Sequence, residues 1–116
     1  MQHDEVQSLK ATRDQIHEHL MKGIIPFWYD RSIDSKYGGY ITAFDAHGGL
    51  LVDDPHKYIV MQTRMVWSFS AFARFLPGGD PGKARMQAAA RQGVDFLIAH
   101  MWDDVYGGWY WRVAQD

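Results

Sequence analysis

The stretch that decides the fold is residues 34–40, DSKYGGY, which returns at residues 103–109 as DDVYGGW. Each copy has an aspartate four residues before a glycine pair, a tyrosine directly before the pair and an aromatic residue after it. A phrase that recurs along a chain is typical of repeat proteins. The chain of 116 residues ends soon after the second copy. We therefore expect a single domain portion, residues 1–116, holding about one and a half structural repeats.

Composition and charge exclude several classes of protein. With 47% hydrophobic residues the chain can bury a core, and its net charge of −2 gives no basic surface for nucleic acid. The absence of cysteine excludes disulfides and thiolate chemistry. No apolar run approaches the length of a membrane span, and no signal peptide is visible. We expect a soluble cytoplasmic protein.

Periodic apolar residues predict three long helices, at residues 4–22, 57–76 and 81–102. Gly23 is expected to end the first helix, and residues 77–82 (PGGDPG) separate the other two. Asp80 is the predicted N-cap of the third helix, with Pro81 in its first turn. That helix carries an apolar stripe formed by Met86, Ala90, Val94, Leu97 and Met101.

Short strands are predicted directly after each glycine pair, at residues 40–44 and 109–113. Residues 45–49 (DAHGG) form the next reversal, after which residues 50–52 can pair back as a hairpin. The repeating unit is therefore a pair of helices with a short β-hairpin in the connecting loop. Paired helices at this period indicate an all-α solenoid or a closed α/α barrel, incomplete at this length.

Arg64 is the residue that most suggests chemistry, because it is the only formally charged residue between Tyr58 and Ala73. A helix that is apolar on all sides is expected to be buried on all sides, and a buried guanidinium needs a partner. One interpretation is a structural ion pair with Asp34, Asp45 or Asp103. The other is a polar cavity that binds an oxygen-rich ligand, with Trp67 on the same face and Lys57 two turns earlier.

The glycine pairs and the histidines each have a structural and a functional interpretation. A structural turn is the default for each pair, with Asp34 and Asp103 capping its N–H groups. Tyr40 and Tyr110 are assigned to equivalent repeat positions, each in the core or facing a ligand, and Tyr110 is favoured for the ligand. The six histidines form no metal-binding pattern, and no phosphate loop is present, so we expect neither a metal nor a nucleotide cofactor.

Several of these motifs together resemble the N-acylglucosamine 2-epimerase family, which also includes cellobiose 2-epimerases and aldose–ketose isomerases. They are residues 25–28 (IPFW), residues 34–39, Lys57 with the segment 62–70 (QTRMVWSFS), and residues 103–111. The resemblance implies an (α/α)6 barrel whose central cavity holds the site. It also implies a cofactor-free reaction on an open-chain sugar.

In the implied reaction, a histidine removes the proton beside the carbonyl, an enediolate forms, and a second histidine returns a proton to the opposite face. Arg64 matches the family arginine that stabilises the substrate and its oxyanion, and the substrate-binding candidates are Tyr110, Trp67, Lys57 and Tyr40. The family chain is several-fold longer, and its catalytic histidines come from later hairpins. We expect the isolated 116 residues to lack activity.

Two other functions stay open at this point. The chain could be a non-catalytic helical module that binds a partner or a sugar, or that forms a homo-oligomer. A glycoside hydrolase would need paired carboxylates facing a cleft, and the adjacent Asp53 and Asp54 suggest a solvated turn instead. The expected partners are a small sugar and either a second copy or a missing C-terminal part that completes the barrel.

Overall fold

The structure is a computed structural model that describes residues 2–51 and 56–114. Two compact units make up the chain, Met1–Arg31 and Ser32–Asp116. The first unit is helical, and the second contains both glycine-pair turns and two long helices. No helix within the described ranges combines the length and the apolar character that crossing a bilayer requires. The interpretation of residues 1–116 as one domain portion stays a prediction.

The first unit shows that Gly23 does not end a helix. Helix α1 spans Gln2–His19, a π-helical turn follows at Leu20–Ile24, and α2 spans Ile25–Ser32. The Ile25 N–H donates to the carbonyl of Leu20, so one extra residue is accommodated without a break. Pro26 comes next and has no N–H for a helical bond, which is the kind of position where π-helical turns relieve the backbone.

The second unit is built on two helices in sequence. Helix α3 spans Ile59–Phe75, and α4 spans Pro81–Phe96 and continues through a π-helical turn at Leu97–Met101. The predicted cap is confirmed, because the Asp80 carboxylate accepts a hydrogen bond of 2.8 Å from the Gly82 N–H. Caps of this kind contribute about 1 kcal/mol to stability.

The core of this unit lies between α3 and α4. Its buried side chains include Met65, Phe69 and Ala73 on α3 and Met86, Ala89, Ala90 and Phe96 on α4. Burying a side chain as large as Phe or Met contributes about 1.5–3 kcal/mol relative to leaving it exposed. Four of the five residues of the predicted α4 stripe are buried, while Val94 is 38% exposed.

The prediction that α3 is buried on all sides is wrong. One face, which includes Gln62, Met65 and Phe69, is buried against the core. The opposite face leaves Val60 50% exposed and Trp67 72% exposed. The helix packs on one side only, so its apolar residues divide between a covered face and an open one.

Strand positions also differ from prediction. Strand β1 is His56–Tyr58 and pairs antiparallel with β2, Arg112–Ala114, placing Lys57 opposite Val113. Lys57 therefore precedes α3 instead of lying on it, because Tyr58 is extended (φ −98°, ψ 135°). The sequence predicts a hairpin between residues 40–44 and 50–52. In the structure a single bridge joins Phe44 to Leu50, and Val52 lies outside the described residues.

The two copies of the repeated phrase, named turn 1 (Asp34–Tyr40) and turn 2 (Asp103–Trp109), fold alike. In turn 1 the Asp34 carboxylate accepts hydrogen bonds of 3.0 Å from the N–H groups of Lys36 and Tyr37. The Asp34 N–H donates to the Gly39 carbonyl at 3.0 Å. Gly38 and Gly39 have φ of 83° and 69°, a region that favours glycine.

Turn 2 repeats these contacts. The Asp103 carboxylate accepts from the N–H groups of Val105 (2.9 Å) and Tyr106 (3.1 Å). The Asp103 N–H donates to the Gly108 carbonyl at 2.9 Å, and the glycine pair again has positive φ (77° and 86°). The predicted capping by both aspartates is confirmed, and the repeat is structural as well as sequential.

Candidate functional site

A buried ion pair lies in the second unit, between Lys57 and Asp34. The Lys57 ammonium donates to the Asp34 carboxylate at 2.6 Å and to the Gly38 carbonyl at 2.6 Å. Both side chains are buried, with 3% and 5% of their surface exposed. The ammonium also lies 4.9 Å from the centre of the Phe96 ring, in a cation–π contact. Lys57 thus joins turn 1 to β1 and α4.

The carboxyl of Asp34 is held ionised by this arrangement. Burial acts to raise its pKa, but the hydrogen bond from Lys57 and those from the Tyr37 and Lys36 N–H groups outweigh burial. The pKa of Asp34 therefore lies below its usual value. Of the three carboxylates considered as partners for Arg64, this one pairs with Lys57. Asp45 and Asp103 instead cap their own turns.

Two glutamines fasten turn 1 to the helices. The Gln62 side chain accepts from the Tyr40 N–H (2.9 Å) and donates to the Tyr40 carbonyl (2.8 Å). The Gln92 side chain does the same for Gly39, at 2.9 Å and 3.2 Å. Each amide group therefore satisfies one donor and one acceptor of the backbone, as a neighbouring strand would.

The structure places Tyr40 in the core. Its side chain is fully buried, stacks on Phe69 with ring centres 5.6 Å apart, and donates its hydroxyl to the Ala89 carbonyl at 2.7 Å. Burial raises the pKa of the Tyr40 hydroxyl, which stays a neutral donor. A Cβ on Gly93 would fall against this ring, so only glycine fits at that place in α4.

Replacing Gln62 with leucine is expected to destabilise the chain by about 3 kcal/mol. The change leaves the Tyr40 N–H and carbonyl unsatisfied in the core, each at a cost of about 1–3 kcal/mol. Urea denaturation of Gln62→Leu against the native chain measures this loss. Thr63→Ala is the matched control, since the neighbouring Thr63 is exposed and bonds only within its own helix. Equal losses from both substitutions would contradict the role of Gln62.

Arg64 and Trp67 lie on the exposed face of α3. Arg64 is exposed, and no carboxylate pairs with it among residues 2–51 and 56–114. Trp67 lies three residues further on, so the two side chains occupy neighbouring positions on one helix face. The expectation of a desolvated guanidinium in need of an ion pair is wrong for this chain. The structure instead places the exposed guanidinium of Arg64 next to the exposed ring of Trp67.

The segment after turn 2 meets the start of α3. The Ile59 N–H, the first of α3, donates to the Trp111 carbonyl at 2.9 Å. The rings of Tyr58 and Trp111 meet edge to face with centres 5.6 Å apart. Tyr110 is 44% exposed, and its N–H donates to the Met101 carbonyl at 2.8 Å. The contacts of Trp111 with Tyr58 and Ile59 therefore hold the segment after turn 2 against the start of α3, the helix that carries Arg64.

The assignment of Tyr40 and Tyr110 to equivalent positions is wrong by one residue. The bridge from Ile33 to Tyr40 has its counterpart in the bridge from Trp102 to Trp109. The equivalent of Tyr40 is therefore Trp109, and Tyr110 follows it. Side chains alternate across an extended backbone, so this shift places Tyr110 on the other face from Trp109.

Two features of this unit have little or no signal in the sequence. The first is the close approach of Gly93 to Tyr40. Its only sign in the sequence is a glycine inside a predicted helix, a position where glycine usually has a packing reason. The buried pairing of Lys57 with Asp34 joins residues 23 positions apart, and no local pattern marks it. Within the described parts of the chain, no group of three histidine or carboxylate side chains is placed to hold a metal.

Comparison with known proteins adds an independent finding. The family model of N-acylglucosamine 2-epimerase (GlcNAc 2-epimerase) matches residues 39–116. A cellobiose 2-epimerase of Dictyoglomus turgidum is 35% identical in an alignment over 109 residues that covers 90% of this chain and 25% of that protein. The human N-acylglucosamine 2-epimerase is 29% identical in an alignment over 100 residues that covers 83% of this chain and 21% of that protein.

Solved structures agree. A cellobiose 2-epimerase from Spirochaeta thermophila superimposes with a TM-score of 0.78 at 27% identity, covering 95% of this chain and 25% of that chain. These relatives are (α/α)6 barrels, so the predicted fold class, helical hairpins of that barrel type, is confirmed. The chain spans about a quarter of the length of the relatives that it matches.

Proposed function

Because the chain belongs to the N-acylglucosamine 2-epimerase family, we propose that it is the substrate-holding part of a sugar 2-epimerase or isomerase. The observation that carries the proposal is Arg64, an exposed guanidinium with no carboxylate partner among the described residues. A cation left open on a helix face is available to an oxygen-rich ligand. The cytoplasmic location predicted from the sequence stays a prediction.

The proposed reaction begins with removal of the proton at C2 of an open-chain sugar. The electron pair moves into a C1–C2 double bond, and the carbonyl oxygen becomes the oxyanion of an enediolate. Arg64 suits this oxyanion because its guanidinium is planar, always charged and able to donate two parallel hydrogen bonds. Return of a proton to the opposite face of C2 gives the epimer. Return to C1, with the proton of the C2 hydroxyl passing to the C1 oxygen, gives the ketose.

The neighbours of Arg64 suit the rest of the sugar. The Trp67 ring, 72% exposed, offers an apolar face for the C–H groups of the sugar. Tyr110 offers a hydroxyl on a backbone fixed by its bond to Met101. Lys57 and Tyr40 have their polar atoms engaged inside the core, so we assign them to holding the site in shape. The groups that move the proton are proposed to come from histidines outside these 116 residues.

Replacing Arg64 with alanine in the complete barrel is expected to slow proton exchange at C2 by about 100-fold or more, the usual cost of losing one oxyanion donor. The measurement is deuterium incorporation at C2 of cellobiose, mannose or N-acetylmannosamine in heavy water. Thermal unfolding should not change, because Arg64 is exposed and makes no ion pair with any described residue.

Arg74→Ala is the matched control, since Arg74 is an exposed arginine ten residues further along the same helix. If Arg64→Ala incorporates deuterium at C2 at a rate within threefold of the native rate, the proposed role of Arg64 is wrong. The 116-residue chain alone is expected to show no exchange. Exchange by that chain would contradict the proposal that the proton-moving groups lie elsewhere.

A non-catalytic binding or oligomerisation module is the second candidate, favoured by the exposed aromatic residues of turn 2. Tyr106 is 90% exposed and Trp109 is 51% exposed. A complete barrel that folds but shows no C2 exchange with any of the three sugars would favour this candidate over the epimerase.

A further inference from the structure

The start of α3 is held by a residue from a distant part of the chain. Tyr58, the N-cap residue, makes no side-chain capping bond, and no acidic residue lies in the first turn of the helix. The first N–H groups of a helix have no partner inside it, so they need acceptors from elsewhere. The Ile59 N–H finds its acceptor in the Trp111 carbonyl, at 2.9 Å. The backbone of Trp111 therefore supplies the cap that Tyr58 does not.

The side chain of Trp111 contacts the same place. Its ring meets the Tyr58 ring edge to face, with centres 5.6 Å apart. The Arg112 guanidinium lies 4.9 Å from the centre of the Trp111 ring, in a cation–π contact. Trp111 is 64% exposed, so its side chain adds little to the core. Its contacts fix where α3 begins more than they stabilise the fold.

Both proposed contacts with the sugar lie close to this junction. Arg64 follows Ile59 by five residues, about 7.5 Å along the helix axis. Because a helix is stiff over that length, a shift of its first turn moves Arg64 as well. Tyr110 directly precedes Trp111 in the chain. The contacts of Trp111 with α3 thus link the backbone that carries Arg64 to the backbone that carries Tyr110.

From these contacts we propose that Trp111 is a positioning residue for Arg64. It holds the first turn of α3 where the guanidinium meets the carbonyl oxygen of the sugar. The inference rests on the proposed function, in which Arg64 donates to the oxyanion. Such donors act only when they are in place before the charge develops, and a misplacement of about 1 Å can cost about 100-fold in rate.

The first test replaces the ring of Trp111 in the complete barrel. Trp111→Leu is expected to lower kcat for deuterium incorporation at C2 by about 10-fold or more, with KM changed by less than about twofold, because the oxyanion contact is made in the transition state. Trp111→Phe keeps a ring beside Tyr58 and should restore most of the rate. Tyr106→Leu is the matched control, since Tyr106 belongs to turn 2 and is 90% exposed.

The second test removes the hydrogen bond instead of the ring. Ile59→Pro deletes the N–H at the first helical position, where proline is favoured, and Tyr58 is already extended, as the residue before a proline should be. Ile59→Ala loses the same side chain but keeps the N–H. The proline variant is therefore expected to have a kcat about 10-fold below that of the alanine variant.

A third measurement does not depend on the reaction. Residue-resolved amide hydrogen exchange at Ile59 is followed in the 116-residue chain. Trp111→Leu should speed this exchange by about 10-fold, because the bond to the Trp111 carbonyl then opens more often, and Trp111→Phe should not.

Three results would overturn the inference. They are a kcat of Trp111→Leu equal to the native one, a raised KM with kcat unchanged, which would make Trp111 a direct sugar contact, and unchanged amide exchange at Ile59 in Trp111→Leu. A native barrel without C2 exchange would contradict the proposed function instead. The exchange at Ile59 would then still decide whether Trp111 holds α3.

Discussion

Gly93→Ala is expected to lower the free energy of unfolding by about 3 kcal/mol, at the upper end of the usual cost of overpacking a core. The added Cβ would meet the Tyr40 hydroxyl oxygen and lie 2.6 Å from its Cζ atom. Elsewhere in a helix the same change gains about 1 kcal/mol in propensity, so the expected sign is opposite to the ordinary one. Urea denaturation of the variant and the native chain measures the difference.

Two further variants show whether the Tyr40 ring causes the loss. Gly78→Ala is the matched control, since a Cβ there would meet nothing within 4 Å, and its effect should stay within about 0.5 kcal/mol. Adding Tyr40→Phe to Gly93→Ala removes one of the clashing atoms, so the double variant should lose less than the sum of the single losses. A Gly93→Ala chain as stable as the native one would contradict the close approach.

Lys57→Met is expected to destabilise the chain by about 3–5 kcal/mol at neutral pH, because it leaves the Asp34 carboxylate buried without its cation. The Gly38 carbonyl loses its hydrogen bond as well. Lys22→Met breaks the exposed pair of Lys22 with Glu18 and is the matched control, expected to cost less than about 1 kcal/mol. A loss below about 1 kcal/mol for Lys57→Met would contradict the buried pair.

The pH dependence of this loss has a definite sign. The folded-state pKa of Asp34 is below its value in the unfolded chain, about 3.9. Its contribution to stability is therefore present above that value and is lost as the pH falls through the folded pKa. In Lys57→Met, burial still raises the pKa of Asp34, and of the groups that lower it only the N–H groups of Lys36 and Tyr37 remain, so protonation of Asp34 is easier than in the native chain. The difference in free energy of unfolding between the variant and the native chain should become smaller as the pH falls from 7 to 4. Adding Asp34→Asn to Lys57→Met should restore part of the lost stability.

The local parts of the fold could be predicted from the sequence. The two turns follow from the glycine pairs and their aspartates, and the start of α4 follows from Asp80 and Pro81, because each depends on residues close in the chain. The predicted helix break at Gly23 is wrong, because the local signals do not show that a π-helical turn can accommodate the residues before Pro26.

Contacts between distant residues account for the remaining errors. The apolar residues that follow Lys57 predict a helix there. In the structure the pairing of β1 with β2 holds Lys57 extended, and β2 lies more than fifty residues away. Arg64 was expected to be buried because α3 is apolar all round. Its exposure depends on which faces of α3 pack against other elements. When every face of a helix is apolar, periodicity alone cannot show which face is buried.

The two glutamine contacts also determine when turn 1 can form. Gln92 bonds to Gly39 across 53 residues of chain. A ribosome adding about 5–20 residues per second needs roughly 3–10 seconds to produce that stretch. Until then the Gly39 N–H has no side chain to bond to, and the full set of contacts on turn 1 waits for α4, which is translated after it. Folding of this unit is therefore expected to run backward along the chain, with α3 and α4 forming first and the earlier turn closing onto them.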